Sequence, residues 1–211
     1  GFNPATRKYT LGAGLLPFAR EFLRRDLFVQ VVQPHLEALT ARWDVTGIAI
    51  FLSDREHYTV TNVSIATSNF SLQMSVGSRF PALVSASGRC LAAFGAWTHK
   101  ELAMRFRRLK WQDAPTEATW FAEVELAKSR GYAVDAGNYI RGVTIVAAPV
   151  FGDGSTVTRC ITAVGLKDQL PEARIERIAE DMLSTAATIS SVLAAPSVAP
   201  DKSPNRPRGQ R

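Results

Sequence analysis

Two cysteines, three histidines and no long apolar run set the first limits on this chain of 211 residues. Cys90 and Cys160 stand far apart with no CxxC spacing, so neither a disulfide framework nor a zinc site is expected, and a reducing, cytoplasmic setting follows. His35, His57 and His99 belong to no HExxH motif, and the chain has no GxSxG and no paired-carboxylate signature. Nothing therefore supplies a nucleophile with its base, and the sequence predicts no catalytic residue, no metal ligand and no cofactor. The longest apolar stretches, GIAIFL and VTIVAAPVF, fall well short of the roughly 20 residues that span a bilayer, and no signal segment opens the chain. A membrane or export role is not expected. Gly1, with no preceding methionine, has the look of a processed or engineered start.

Charge is present but unevenly placed. The chain carries 25 basic and 19 acidic residues, a net +6. Setting aside the terminal Arg7, Lys8, Lys202, Arg206, Arg208, Arg211 and Asp201 leaves 19 basic against 18 acidic side chains between residues 9 and 199. A nearly neutral body argues against this portion gripping a phosphate backbone, which needs clustered Lys and Arg. With 46% hydrophobic residues the chain can build a buried core, as one large domain or two small ones.

Periodicity orders the elements. Phe18, Phe22, Phe28, Val31, Val32, Leu36 and Leu39 recur at helical spacing up to Trp43, with Pro34 expected to kink or split the helix. VTGIAIFL at 45–52 and the alternating stretch 57–66 read as a hairpin. A short strand near Leu72 to Ser75 and the turn GSRFP lead to Ser85, placed to cap a helix over 86–94. Helices follow at 100–109 and 116–130, the second stopped by Gly131. GYAVD, GVTIVAAPVF and VTRCITAVGL are strands, with Asp153-Gly154 as a hairpin signal. Ile175, Ile178, Ala179, Met182, Leu183, Ala186, Ile189, Val192 and Leu193 trace one long helical stripe, and 195–211 reads as a disordered tail. There is no internal repeat. Segregated antiparallel strands with flanking helices make an α+β domain rather than a doubly wound one, built like GAF and PAS sensor domains.

Four collinear blocks carry a more specific likeness: YTLG at 9–12, GSRFPALVSASGRCLAAFG at 77–95, GYAVD at 131–135 and GVTIVAAPVFGDGSTVTRCITAVG at 142–165. Together they resemble the IclR family of bacterial transcriptional regulators. The resemblance implies a GAF-like effector-binding domain that also forms a dimer or tetramer. It would normally follow a winged helix-turn-helix that binds operator DNA. On that reading 1–12 is the residual end of the missing DNA-binding domain, 13–42 a helical linker with the first effector-domain helices, 43–194 the GAF-like domain and 195–211 the tail.

The resemblance also implies a pocket for a small organic acid, its carboxylate against the helix that starts at Ser85. The physics agrees: the N–H groups of Ala86, Ser87 and Gly88 would be free, the helix dipole favours an anion, and Gly88 permits close approach. The plainer alternative is that Ser85 only caps the helix and Gly88 only relieves packing. Asp135 matches a family pocket acid that accepts a ligand hydroxyl or holds a loop. Val143 and Ile145, with Thr162 and Val164 on the partner strand, alternate onto one wall. Phe80 and Leu72 are candidates to close the apolar side, and equally candidates for ordinary core. Ile145 and Val164, where relatives place small polar or thiol groups, predict a carboxylate with a hydrophobic or aromatic body. The alternatives are a dimerisation module with a vestigial pocket and, further off, a small cytosolic enzyme or a Cys90 redox sensor.

Overall fold

A computed structural model describes residues 2–3, 8–9, 26–66, 74–152, 154 and 156–195. Phe18, Phe22, Leu72, Asp153 and nearly all of the expected tail lie outside the described residues. Strands β1 (Phe2–Asn3) and β2 (Lys8–Tyr9) pair with each other antiparallel.

Helix α1 (Leu27–Trp43) starts where the Asp26 carboxylate accepts the Phe28 N–H at 2.9 Å, and it ends where Asp44 turns left-handed at φ 51°. It runs unsplit through Pro34, which sits on its exposed face; Phe28, Val32, Leu36, Leu39 and Trp43 form the buried one. Strands β3 (Thr46–Leu52) and β4 (His57–Ser64) form the expected hairpin, whose turn is tied by Asp54 accepting the N–H groups of Glu56 and His57, both at 2.7 Å. The strand expected up to Ser75 does not include Met74 or Ser75. Instead Gly77 turns at φ 90°, and Arg79–Pro81, expected as part of a turn, form the short edge strand β5 against β4. Pro81 is tolerated at the end of an edge strand because no ladder partner needs its N–H.

Helices α2 (Ser85–Phe94), α3 (His99–Phe106) and α4 (Glu117–Arg130) follow, α4 capped by Thr116 and closed by left-handed Gly131. Then come β6 (Ala133–Ala136), β7 (Val143–Val150), β8 (Arg159–Leu166) and the long helix α5 (Glu172–Ala194). All neighbouring strands of the main sheet are antiparallel, in the order β5-β4-β3-β8-β7-β6. The central pairing, β3 with β8, joins segments more than a hundred residues apart and closes two local strand sets into one α+β domain.

Strand alternation divides the core in two. Ala49, Val146, Ala148, Ile161 and Ala163 face α1 and α5, where Ile178, Met182 and Ile189 are fully buried, each contributing about 1.5–3 kcal/mol. Val192 of the expected stripe is instead exposed. Ile48, Ile50, Ile145, Ala147, Cys160 and Val164 face the other way, towards α2. A third cluster around the fully buried Trp120 holds α2, α3 and α4 together.

Candidate functional site

Between the second face of the sheet and the start of α2 lies a cavity of about 190 Å³. Six residues expected from sequence line it: Phe80, Ser85, Ser87, Ile145, Thr162 and Val164. Ile145 and Val164 are direct cross-strand partners, which places both on one wall. Ile48, opposite Thr162 in the β3–β8 ladder, and Ile50 extend that wall; Tyr58 and Val60 of β4, Met74, Tyr139 and Ile140 complete the lining. Phe80 leans on the Tyr58 ring at 5.6 Å and meets Tyr139 edge-on at 6.4 Å.

The polar groups converge at one end. The Ser87 hydroxyl lies 3.0 Å from that of Thr162, and the Ser85 hydroxyl 3.4 Å from the Tyr58 phenol. Burial pushes the Tyr58 phenol above its ordinary range, so it stays a neutral donor. No charged side chain lines the cavity.

Ser85 is not the cap expected from sequence. Val84 occupies the cap position with extended backbone and offers no side-chain hydrogen bond, while Ser85 itself is left-handed at φ 61°. That conformation is strained for a residue with a Cβ and turns the hydroxyl to the cavity instead of along the helix. The amides of Ser85, Ala86 and Ser87 precede the first intrahelical bond, which runs from the Gly88 N–H to Val84 at 2.8 Å. The Gly88 amide is therefore spent, and Gly88 does not touch the cavity. Its lack of a side chain answers a different need, since a Cβ there would fall 2.0 Å from the Leu83 carbonyl carbon. Ala86 and Val143 pack into the core beside the cavity rather than lining it.

Asp135 stands behind the site. One carboxylate oxygen accepts from Arg89 at 2.9 Å; the other accepts the N–H groups of Gly137, Asn138 and Tyr139 at 3.1, 2.8 and 3.2 Å. One oxygen holds the loop that carries Tyr139 and Ile140 and the other holds Arg89, and Asp135 is not among the residues that line the cavity. Sequence reasoning missed Arg89 altogether. It is fully buried, bonded also to Glu123, to the Asn138 side chain and to the Ser85 carbonyl, and lies against the Trp111 ring. A charged residue four positions after Ser85 in an otherwise apolar helix was the available signal.

No histidine lines the cavity, and the neighbour of the Ser85 hydroxyl is a phenol held neutral. Cys90 and Cys160 are buried free thiols; burial and the neighbouring Cys90 push the Cys160 thiol well above its ordinary range, away from the reactive thiolate. Among the described residues no helix is long and apolar enough to cross a membrane.

Residues 21–191 match the family of the bacterial transcriptional regulator IclR C-terminal domain. The chain belongs to that family. Its fold is also that of solved members. Thermotoga maritima IclR is 21% identical over 92% of this chain and 79% of its own, with a TM-score of 0.75. An IclR regulator from Alicyclobacillus acidocaldarius is 20% identical over the same shares, with a TM-score of 0.76. Pseudomonas aeruginosa HmgR is 25% identical over 92% of this chain and 78% of its own, with a TM-score of 0.67. No curated protein matches in sequence. This is accordingly a domain of transcriptional regulators and not of enzymes.

Proposed function

We propose that the cavity binds a small monocarboxylate with a hydrophobic or aromatic body, and that this ligand adjusts operator binding by the regulator to which the domain belongs. The observation that carries the reading is a cavity whose walls are apolar and whose hydroxyls gather at one end, beside a helix N-terminus. The volume suits it: an apolar cavity of about 150 Å³ admits benzene, and this one is about 190 Å³. The amides of Ser85, Ala86 and Ser87, the half-charge of the helix end and the Ser85, Ser87 and Thr162 hydroxyls together suit one negative charge. With no cation in the lining, a dicarboxylate would leave its second charge uncompensated.

In the same proposal, 1–12 is the end of a winged helix-turn-helix domain, 13–42 a linker with the first helices, 43–194 the GAF-like sensor and 195–211 a tail. The protein works in the cytoplasm as a homodimer or homotetramer. The ligand acts by binding one assembly or conformation better than another, since equal affinity shifts nothing. A dimerisation module with a vestigial pocket calls instead for a solid interior behind α2, and the cavity favours the sensor.

A thermal-shift screen against benzoate, phenylacetate, pyruvate and glyoxylate tests the reading, because a ligand of the native state raises Tm by mass action. Selective shifts with the aromatic acids are expected. Shifts with the keto acids alone would overturn the hydrophobic-body argument, and none at all would favour the scaffold.

A further inference from the structure

Beside the turn that sets Ser85 lies a second cleft, also of about 190 Å³, lined by Arg55, Arg105, Arg108, His57 and Glu56 together with 81–83 and Leu109. Three guanidiniums there meet two carboxylates, Glu56 in the lining and Glu101 beside Arg55. The pairs already made do not use them up. Arg55 gives one nitrogen to Glu101 and to the Ala96 carbonyl, both at 2.9 Å, and Arg105 pairs with Glu56 through Nη1. Both lie over the Trp97 ring, at 4.8 and 5.1 Å. The Arg105 Nε–H is buried without a hydrogen-bond partner, and exposed Arg108 forms no ion pair among the described residues. A buried unpaired guanidinium donor is costly, and an acceptor bound in the cleft that Arg105 lines would offset that cost.

We propose that this cleft is a second ligand site, specific for a phosphate group, inorganic or on a small ester. Guanidinium forks match tetrahedral oxyanions in shape and charge, and three of them around one small cleft suit a dianion better than a carboxylate. The site is independent of the carboxylate cavity. The two have no lining residue in common; they adjoin along β4 and β5 and at the turn before α2, where the Ala82 N–H bonds the Glu56 carbonyl at 2.8 Å and Leu83 packs against Gly88.

Calorimetric titration of inorganic phosphate into the protein, at an ionic strength held constant with sodium chloride, tests this. Saturable one-site binding is expected, weakened about tenfold by Arg108→Gln and by Arg55→Gln, in line with loss of one charge-assisted bond. Arg177→Gln, an exposed arginine on α5, is the control and should leave binding unchanged. No saturable binding, or equal loss in all three variants, would overturn the proposal. Among the described residues the Arg108 side chain has no hydrogen bond or ion pair to lose, so its variant reads the site and not the fold.

Discussion

Arg89 and Asp135, 46 positions apart, meet as an ion pair at 2.9 Å with both side chains fully buried. The pair links α2 to β6, and through the Arg89 bond to the Ser85 carbonyl and the Tyr139 N–H bond to Asp135 it connects two residues that line the cavity. Removing Asp135 leaves the buried Arg89 charge short of a partner and frees three loop amides. Asp135→Ala should therefore cost about 3–5 kcal/mol in urea unfolding. The double variant Asp135→Ala with Arg89→Met should cost less than the sum of the single variants, because the second change removes the stranded charge. Strict additivity would show that the two residues act separately.

Ser85 holds a left-handed backbone that glycine adopts freely. Ser85→Gly should raise stability by about 1 kcal/mol through relief of that strain, while Ser85→Ala keeps the strain and gains nothing. Both variants lose the hydroxyl, so both should reduce any thermal shift given by an aromatic acid. A Ser85→Gly protein less stable than the parent would mean that the 3.4 Å contact with Tyr58 outweighs the backbone cost.

These two relationships also mark where the sequence stopped being readable. The period-two pattern placed Ile145, Thr162 and Val164 on one wall, since alternation is local and needs only the strand to exist. Ile48 and Ile50 follow the same rule but were out of reach, because which strand lies beside β8 depends on the non-local β3–β8 pairing. The helix at Ser85 was legible from the turn before it; the left-handed Ser85 was not, because serine rarely adopts that conformation and only the fold enforces it. Gly88 was singled out to let a ligand approach, with relief of packing as the plainer reading, and a Cβ there would meet the Leu83 backbone. Asp135 pointed to the site yet serves it from behind, through Arg89, whose lone charge in α2 was the one local signal and whose partners Asp135, Glu123 and Asn138 are set by non-local packing.

Alkaline pH should unfold this domain earlier than exposed tyrosines would allow. Burial raises the Tyr58 and Tyr139 phenols and the Cys160 thiol above their ordinary values, near 10 for tyrosine and 8.5 for cysteine. In the unfolded chain these groups lose their protons at the ordinary values, whereas the folded protein retains them. The folded state then binds more protons, so stability is full below about pH 8 and falls as pH rises beyond it. Urea midpoints between pH 8 and 10.5 should decline, and Tyr58→Phe should flatten the part of the decline above about pH 10. An unchanged slope in that variant would remove Tyr58 as a cause.

Filling the cavity separates empty space from packed core. Val164 is buried on β8 between Thr46 and Ile145, with its side chain on the cavity wall. In a solid interior, Val164→Phe would overpack and cost about 1–3 kcal/mol. Here the added ring has about 190 Å³ to enter, so the change should cost less than about 1 kcal/mol or stabilise the fold, as cavity filling does elsewhere. The same ring occupies the place of an aromatic ligand, so the thermal shift with benzoate or phenylacetate should vanish while the parent Tm is kept. Loss of the shift together with a large fall in Tm would mean that the interior has closed around Val164. A retained shift would move the binding site away from this cavity.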